Sequence, residues 1–254
     1  MTVGDAIRSH RSTLAADAVH VWLTLPDRLH DPSLLAAYAD LMSPAEREKQ
    51  QRYHFEKGRH ECLVTRALVR TVLSRYTEMS PDAWMFEANS YGRPELTPGQ
   101  CALPLRFNLS HTDGLIACAV ALDRDVGVDV ESLNHRGETV TLADHYFSKQ
   151  EVHDLHQLPE DRQRERFLAY WTLKESYIKA RGMGLAISLG DFGFRLEDHG
   201  PIRISFQPRI HDDPSDWQFA LYRPTPSHLL AVGVHKGRGD DLRISVRQTI
   251  PLME

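Results

Sequence analysis

The chain has 254 residues, 41% hydrophobic and 26% charged, the balance of a soluble globular protein with room for one large domain or two small ones. A formal net charge of −5 argues against bulk nucleic-acid binding, and the longest apolar run, near Leu115–Leu122, is far short of a membrane span. Cys62, Cys101 and Cys118 show no CxxC spacing and read as free thiols of a reducing compartment, which makes cytoplasm the expected location. Residues 1–18 read as a loose polar leader without an apolar signal segment. Alternation over Val19–Leu25 predicts a first strand, and Ser33–Leu41 a short amphipathic helix. Ser43, Pro44 and Glu46 form a capping-box start for a helix running to about Tyr53. A second helix is expected from Glu56 to Tyr76, then a strand over Trp84–Ala88 and a turn at Tyr91-Gly92-Arg93-Pro94. Strands are expected at Arg106–Leu109, Leu115–Leu122 and Asp125–Glu131, with Ser110–Gly114 as a turn between the first two.

The second half repeats the rhythm. Ser148 and Glu151 again have capping-box spacing, a long helix is expected over Asp161–Arg181, and Gly182 and Gly184 end it. Strands follow at Phe192–Leu196, Ile202–Phe206, Trp217–Tyr222 and His228–His235. The polar tail 236–254 is expected to hold little order beyond a short strand at Leu242–Val246. Strand, capped helix, longer helix and sheet thus occur twice, dividing near Arg124. The expected organisation is a leader (1–18), an N-terminal α/β half (19–124), a C-terminal α/β half (125–235) and a tail (236–254), with a site drawing on both halves.

The chemistry centres on three acids. In Asp125–Glu131, Val126, Val128 and Val130 point one way while Asp129 and Glu131 share the other face, roughly 6–7 Å apart along the strand. Two such carboxylates repel unless a cation neutralises them; the plain alternative is a solvated strand end. Glu175 lies on the long helix, which is apolar nearly all round, so its carboxylate needs a partner or a task. A Glu175–Lys179 ion pair is one answer. The other has Glu175 join Asp129 and Glu131 around one cation, and all-oxygen ligands indicate Mg²⁺, Mn²⁺ or Ca²⁺ rather than zinc. Mg²⁺ keeps waters and takes phosphate oxygens beside a few carboxylates, so a phosphate ester or anhydride would be the substrate. His153 and His156, three apart beside acids, have metal-like spacing but read more simply as a solvated helix face.

These residues resemble a known family. Phe107–His111 (FNLSH), Gly127–Glu131 (GVDVE) and Trp171–Leu185 (WTLKESYIKARGMGL) look like the motifs of 4′-phosphopantetheinyl transferases of the surfactin-synthetase (Sfp) type. Ser43–Tyr53 and Tyr91–Pro94 match in the same order, so the likeness extends from about Val19 to His235. It implies an α/β (α+β) fold of two similar halves related by a pseudo-two-fold, with the active site in the cleft between them. It implies transfer of the phosphopantetheine arm of coenzyme A to a serine of an acyl or peptidyl carrier protein, with release of 3′,5′-ADP, as in secondary-metabolite biosynthesis. The family's metal acids fall on Asp129, Glu131 and Glu175, holding Mg²⁺ or Mn²⁺, and the lysine after the third acid falls on Lys179. The Ser-His pair near the nucleotide falls on Ser110 and His111, and the basic residue of the Tyr-Gly-Lys/Arg-Pro turn on Arg93. Lys49 matches a basic position for the coenzyme's 3′-phosphate. Glu46 stands where close relatives carry a second lysine, which leaves Lys57 or Arg59 as substitutes.

On this reading Arg93, Lys179 and His111 offset phosphate charge. The base that takes the serine proton is either Glu175, directly or through a bound water, or no protein group. Lys179 either contacts phosphate or orients Glu175. Arg181, Met183, Leu185 and Ile187 are candidates for carrier docking or for a buried connection. A monomer is expected, with no nucleic acid or membrane partner. A different phosphoryl or nucleotidyl transferase is the competing enzyme class, but no GxxxxGK[ST] loop is present. A non-catalytic coenzyme A or carrier binder would have no use for three carboxylates.

Overall fold

The computed structural model describes residues 12–134, 140–197 and 200–253. In chain order the elements are β1 (Ala18–Thr24), α1 (Pro32–Leu41), α2 (Pro44–Gln51), α3 (Glu56–Ser74), β2 (Phe86–Ala88), β3 (Pro94–Leu96), β4 (Leu105–Thr112), β5 (Leu115–Leu122) and β6 (Val126–Ser132). They continue with α4 (Val140–Tyr146), α5 (Lys149–Gln157), α6 (Glu160–Arg181), β7 (Phe192–Arg195), β8 (Arg203–Phe206), β9 (Trp217–Thr225), β10 (His228–His235) and β11 (Arg243–Gln248). The chain divides into two units, Met1–Glu87 with Pro94–Asp123 and Arg243–Glu254, and Ala88–Arg93 with Arg124–Leu242. Most of the expected leader lies outside the described residues.

In the first unit the sheet order is β11-β1-β5-β4, with β5 antiparallel to both neighbours and β11 parallel to β1. β1 is buried throughout and β5 nearly so, as continuous apolar runs rather than alternating ones require. Helix α3 supplies Val64, Leu68 and Val72 to a core shared with Trp22, Phe107, Ile116 and Val120. The strand β4 runs three residues past its expected end at Leu109, into the expected turn. Asp113 and Gly114 alone make the reversal, with Gly114 at φ +79, conformational space that favours glycine. Ser110 and His111 therefore stand in a strand. The tail holds the expected short strand and more order than expected beyond it. Its strand β11 pairs Ala18 with Arg243 through Leu23 with Gln248, and beyond it the Tyr38 hydroxyl donates to Pro251 O at 2.9 Å. Ile244 and Val246 alternate with polar residues, so the segment is amphipathic, but its partner strand is remote in sequence.

In the second unit β6, β10 and β9 form an antiparallel sheet, β7 and β8 form a two-stranded ladder, and α6 packs on β6 and β10. The core gathers Tyr177 of α6 with Phe192, Trp217 and Phe219. Gly182 at φ +63 closes α6 in the left-handed region.

The two units share one internal device. In each, the capping-box glutamate also pairs with a buried cation of the following long helix: Glu46 with Arg70 at 2.7 Å, and Glu151 with Lys174 at 2.8 Å. Each cation then donates to carbonyls downstream, Arg70 to Pro81 O and Trp84 O, Lys174 to Leu189 O and Phe192 O. Each also lies over a phenylalanine ring, Phe86 or Phe192. The fold is thus mixed α/β, with two halves alike in construction. Among the described residues no helix is long and apolar enough to cross a membrane.

Candidate active site

The site is built on β6 and α6. Gly127, Asp129 and Glu131 share one face of β6 by strand alternation. A Cβ at Gly127 would lie 2.0 Å from Ser176 O and 2.5 Å from Ala180 N, so the α6 backbone rests directly on this glycine. Its cross-strand partner Gly233 faces Ser176 Oγ and the Phe219 ring. This close approach sets the acids of the strand against the helix.

Between Phe167 and Ala180 every residue of α6 is buried except Trp171, Glu175 and Lys179. Steps of four put these three on one helix stripe. Trp171 gives a side-chain hydrogen bond to Glu131, and Lys179 Nζ donates to Asp129 Oδ1 at 2.6 Å. Glu175 stands between them on the stripe.

The electrostatics follow. Burial, then the Asp129 charge, lifts the Glu131 carboxyl to about 7, with Glu175 adding to the shift and the Trp171 hydrogen bond and Lys179 opposing it. Burial and Asp129 raise Glu175 as well, against Lys179. Three carboxylates thus face one ammonium. Among the described residues no three His, Cys, Asp or Glu side chains are drawn together closely enough to hold a metal ion as they stand. The donor set nevertheless fits a hard dication: it is all oxygen, and burial together with the Asp129 charge disfavours the ionised form of both glutamates until a cation joins them.

The other expected residues are placed as follows. Ser110 is buried and His111 exposed, on opposite faces of β4 as neighbours in a strand must be. Lys49 is exposed on α2. Lys57 pairs with Asp113, and Arg59 donates to Tyr53 O at 2.8 Å and His54 O at 3.2 Å. These five belong to the first unit. Arg93 Nη1 donates to Lys179 O at 3.1 Å and Ala180 O at 2.7 Å, at the end of α6. Arg181 pairs with Asp212, which also accepts from the Tyr177 hydroxyl, and Ile187 is partly buried against the core. His156 pairs with Asp144 at 2.8 Å, both well exposed. Sequence reasoning missed Gly127 and Trp171; a glycine inside an alternating strand was the available signal for the first.

Two family models match the chain. One, the 4'-phosphopantetheinyl transferase superfamily, covers residues 125–233, and the other, 4'-phosphopantetheinyl transferase, N-terminal, covers 31–122. The 4'-phosphopantetheinyl transferase HetI of Nostoc sp. is 32% identical over 87% of this chain and 90% of its own. The 4'-phosphopantetheinyl transferase Sfp of Bacillus subtilis is 31% identical over 77% and 83%. A holo-(acyl-carrier-protein) synthase from Bacillus anthracis, solved with CoA (3',5'-ADP), covers 43% of this chain and 93% of that one at 21% identity and a TM-score of 0.35.

Proposed function

This chain belongs to the 4′-phosphopantetheinyl transferase superfamily, and from that premise we propose that it moves the phosphopantetheine arm of coenzyme A onto a serine of an acyl or peptidyl carrier protein. In the step, the serine oxygen forms a bond to the β-phosphorus while the bond to the bridging oxygen breaks, and 3′,5′-ADP leaves with that oxygen. The serine proton must be taken up. Asp129, Glu131 and Glu175 would hold Mg²⁺, which supplies a Lewis acid for pyrophosphate oxygens.

The single observation that carries the reading is the gathering of acids at the β6–α6 contact: Glu131 is lifted to about 7 by burial first and then by Asp129, with Glu175 adding to it, against the Trp171 hydrogen bond and Lys179. Lys179 holds Asp129 in place and presents positive charge to the diphosphate. Glu175, the acid that α6 contributes, is the protein group proposed to accept the serine proton, directly or through a bound water. Lys49 and His111 are the first unit's candidates for contact with the nucleotide end. Lys57 and Arg59 are weaker choices because their cations already serve Asp113 and two backbone carbonyls.

The test mixes the protein with an apo-carrier, coenzyme A and Mg²⁺ and weighs the carrier. A gain of one phosphopantetheine is expected, absent with chelator and absent for Asp129→Ala and Glu175→Ala, both folded by circular dichroism. No gain across a panel of fatty-acid, polyketide and peptide carriers would overturn the function.

A further inference from the structure

We propose that the Arg93 side chain is a positioning residue for the acid site: it clamps the end of α6 and so sets where Lys179 and Glu175 stand. The inference rests on the function proposed above. The last carbonyls of a helix lack intrahelical partners and carry its negative pole, so a cation there both satisfies and stabilises them. Arg93 supplies that cation through one nitrogen bonded to Ala180 O and to Lys179 O, which also accepts from Gly182 N at 3.2 Å.

The turn that carries Arg93 is shaped for the task. Asn89 Oδ1 accepts from Tyr91 N at 2.9 Å and Arg93 N at 3.0 Å, while Asn89 Nδ2 donates to Gly182 O at 3.0 Å. One asparagine thus closes the turn and ties it to the cap of α6. Gly182 completes the fit. A Cβ there would lie 2.5 Å from Arg93 Cζ, so the guanidinium fills the space that the glycine leaves. The clamped residue, Lys179, is the one whose ammonium holds Asp129. A side chain committed to two carbonyls beside that lysine acts through the helix, whereas its likeness to relatives suggests a phosphate contact. Lysine, a point donor without arginine's planar fork, replaces it only in part.

The experiment measures transfer kinetics, thermal unfolding and amide exchange in the last turn of α6 for Arg93→Ala, Arg93→Lys and Asn89→Ala. Displacing reacting groups by an ångström costs up to about 100-fold, so kcat is expected to fall about 10- to 100-fold in Arg93→Ala. The KM for coenzyme A is expected to stay within about 2-fold, with Arg93→Lys intermediate. In a Lys179→Ala background the Arg93→Ala change should cost little more, since both act on one contact. A KM raised 10-fold or more (on the order of a lost charged contact) with kcat intact would overturn the proposal in favour of a phosphate contact. A lower melting temperature with both kinetic constants unchanged would also overturn it, as scaffolding alone. Should Arg93→Ala fail to fold, Asn89→Ala carries the same expectations. A wild-type protein that labels no carrier refutes the proposed function instead; amide exchange then judges the clamp, and unaltered exchange at the end of α6 in Arg93→Ala would sink it.

Discussion

Replacing Gly127 by alanine probes the close approach on which the site depends. The new methyl carbon would start 2.0 Å from Ser176 O and 2.5 Å from Ala180 N, both backbone atoms of α6. A carbon rests no nearer than about 3.3 Å to a carbonyl oxygen, so strand and helix must part by about 1.3 Å. Rotamer changes cannot absorb this, and α6 is buried on nearly every side. Overpacking of this kind costs about 3 kcal/mol, the upper end of the usual range. For a chain of this size that is roughly 6–12 °C in Tm. The same displacement separates Lys179 from Asp129, for which a loss of about 100-fold in kcat is expected. Gly233→Ala is the internal control. Its methyl would meet the Phe219 ring at 2.8 Å and Ser176 Oγ at 3.1 Å, side-chain atoms rather than the α6 backbone, so a smaller loss is expected. Thermal unfolding and the carrier-mass assay on both variants decide the matter. Gly127→Ala as stable and active as Gly233→Ala would refute the reasoning.

Lys174→Met should leave Glu151 charged and buried without its partner; both side chains are fully inaccessible, so a loss of about 3–5 kcal/mol is expected in urea unfolding. Adding Glu151→Gln should recover part of it, and a Lys174→Met single variant of wild-type stability would contradict the pairing. Glu131 supplies a pH prediction. Its folded pKa, about 7, lies above the ordinary 4.5, so the folded state holds a proton that the unfolded chain releases. That stabilising contribution is complete below about pH 4.5 and lost as pH rises through 7. In metal-free protein Glu131→Gln should therefore gain Tm over wild type above pH 7 and match it in acid. A parallel offset at all pH values would show that the carboxyl is not crowded.

Local chemistry was the legible part of the sequence. Both capping boxes, the alternation of 125–131 and the glycine stop at 182 are written in neighbouring residues, and each appears in the structure. Non-local partners were not. The strand 243–248 could be recognised as a strand, but its pairing with β1 joins opposite ends of the chain. Asp113-Gly114 was a hairpin signal, yet the polar Ser110 and His111 drew the expected turn forward into what is strand. From its neighbours in sequence Arg93 read only as a turn residue, because the carbonyls it serves belong to a helix far along the chain. Lys174 looked like part of a motif; its fully buried pairing with Glu151 depends on which face of α6 the core covers. The four-residue spacing of Glu175 and Lys179 was legible, whereas the place of Trp171 on the same stripe and its bond to Glu131 required the packing around the helix.

The most direct measurement is a calorimetric titration of Mg²⁺ into the protein saturated with coenzyme A. One ion per wild-type chain is expected, with binding lost in Asp129→Ala, Glu131→Ala and Glu175→Ala while circular dichroism stays native. Stoichiometric binding that persists in folded Glu175→Ala would contradict a site shared by the β6 strand and the α6 helix.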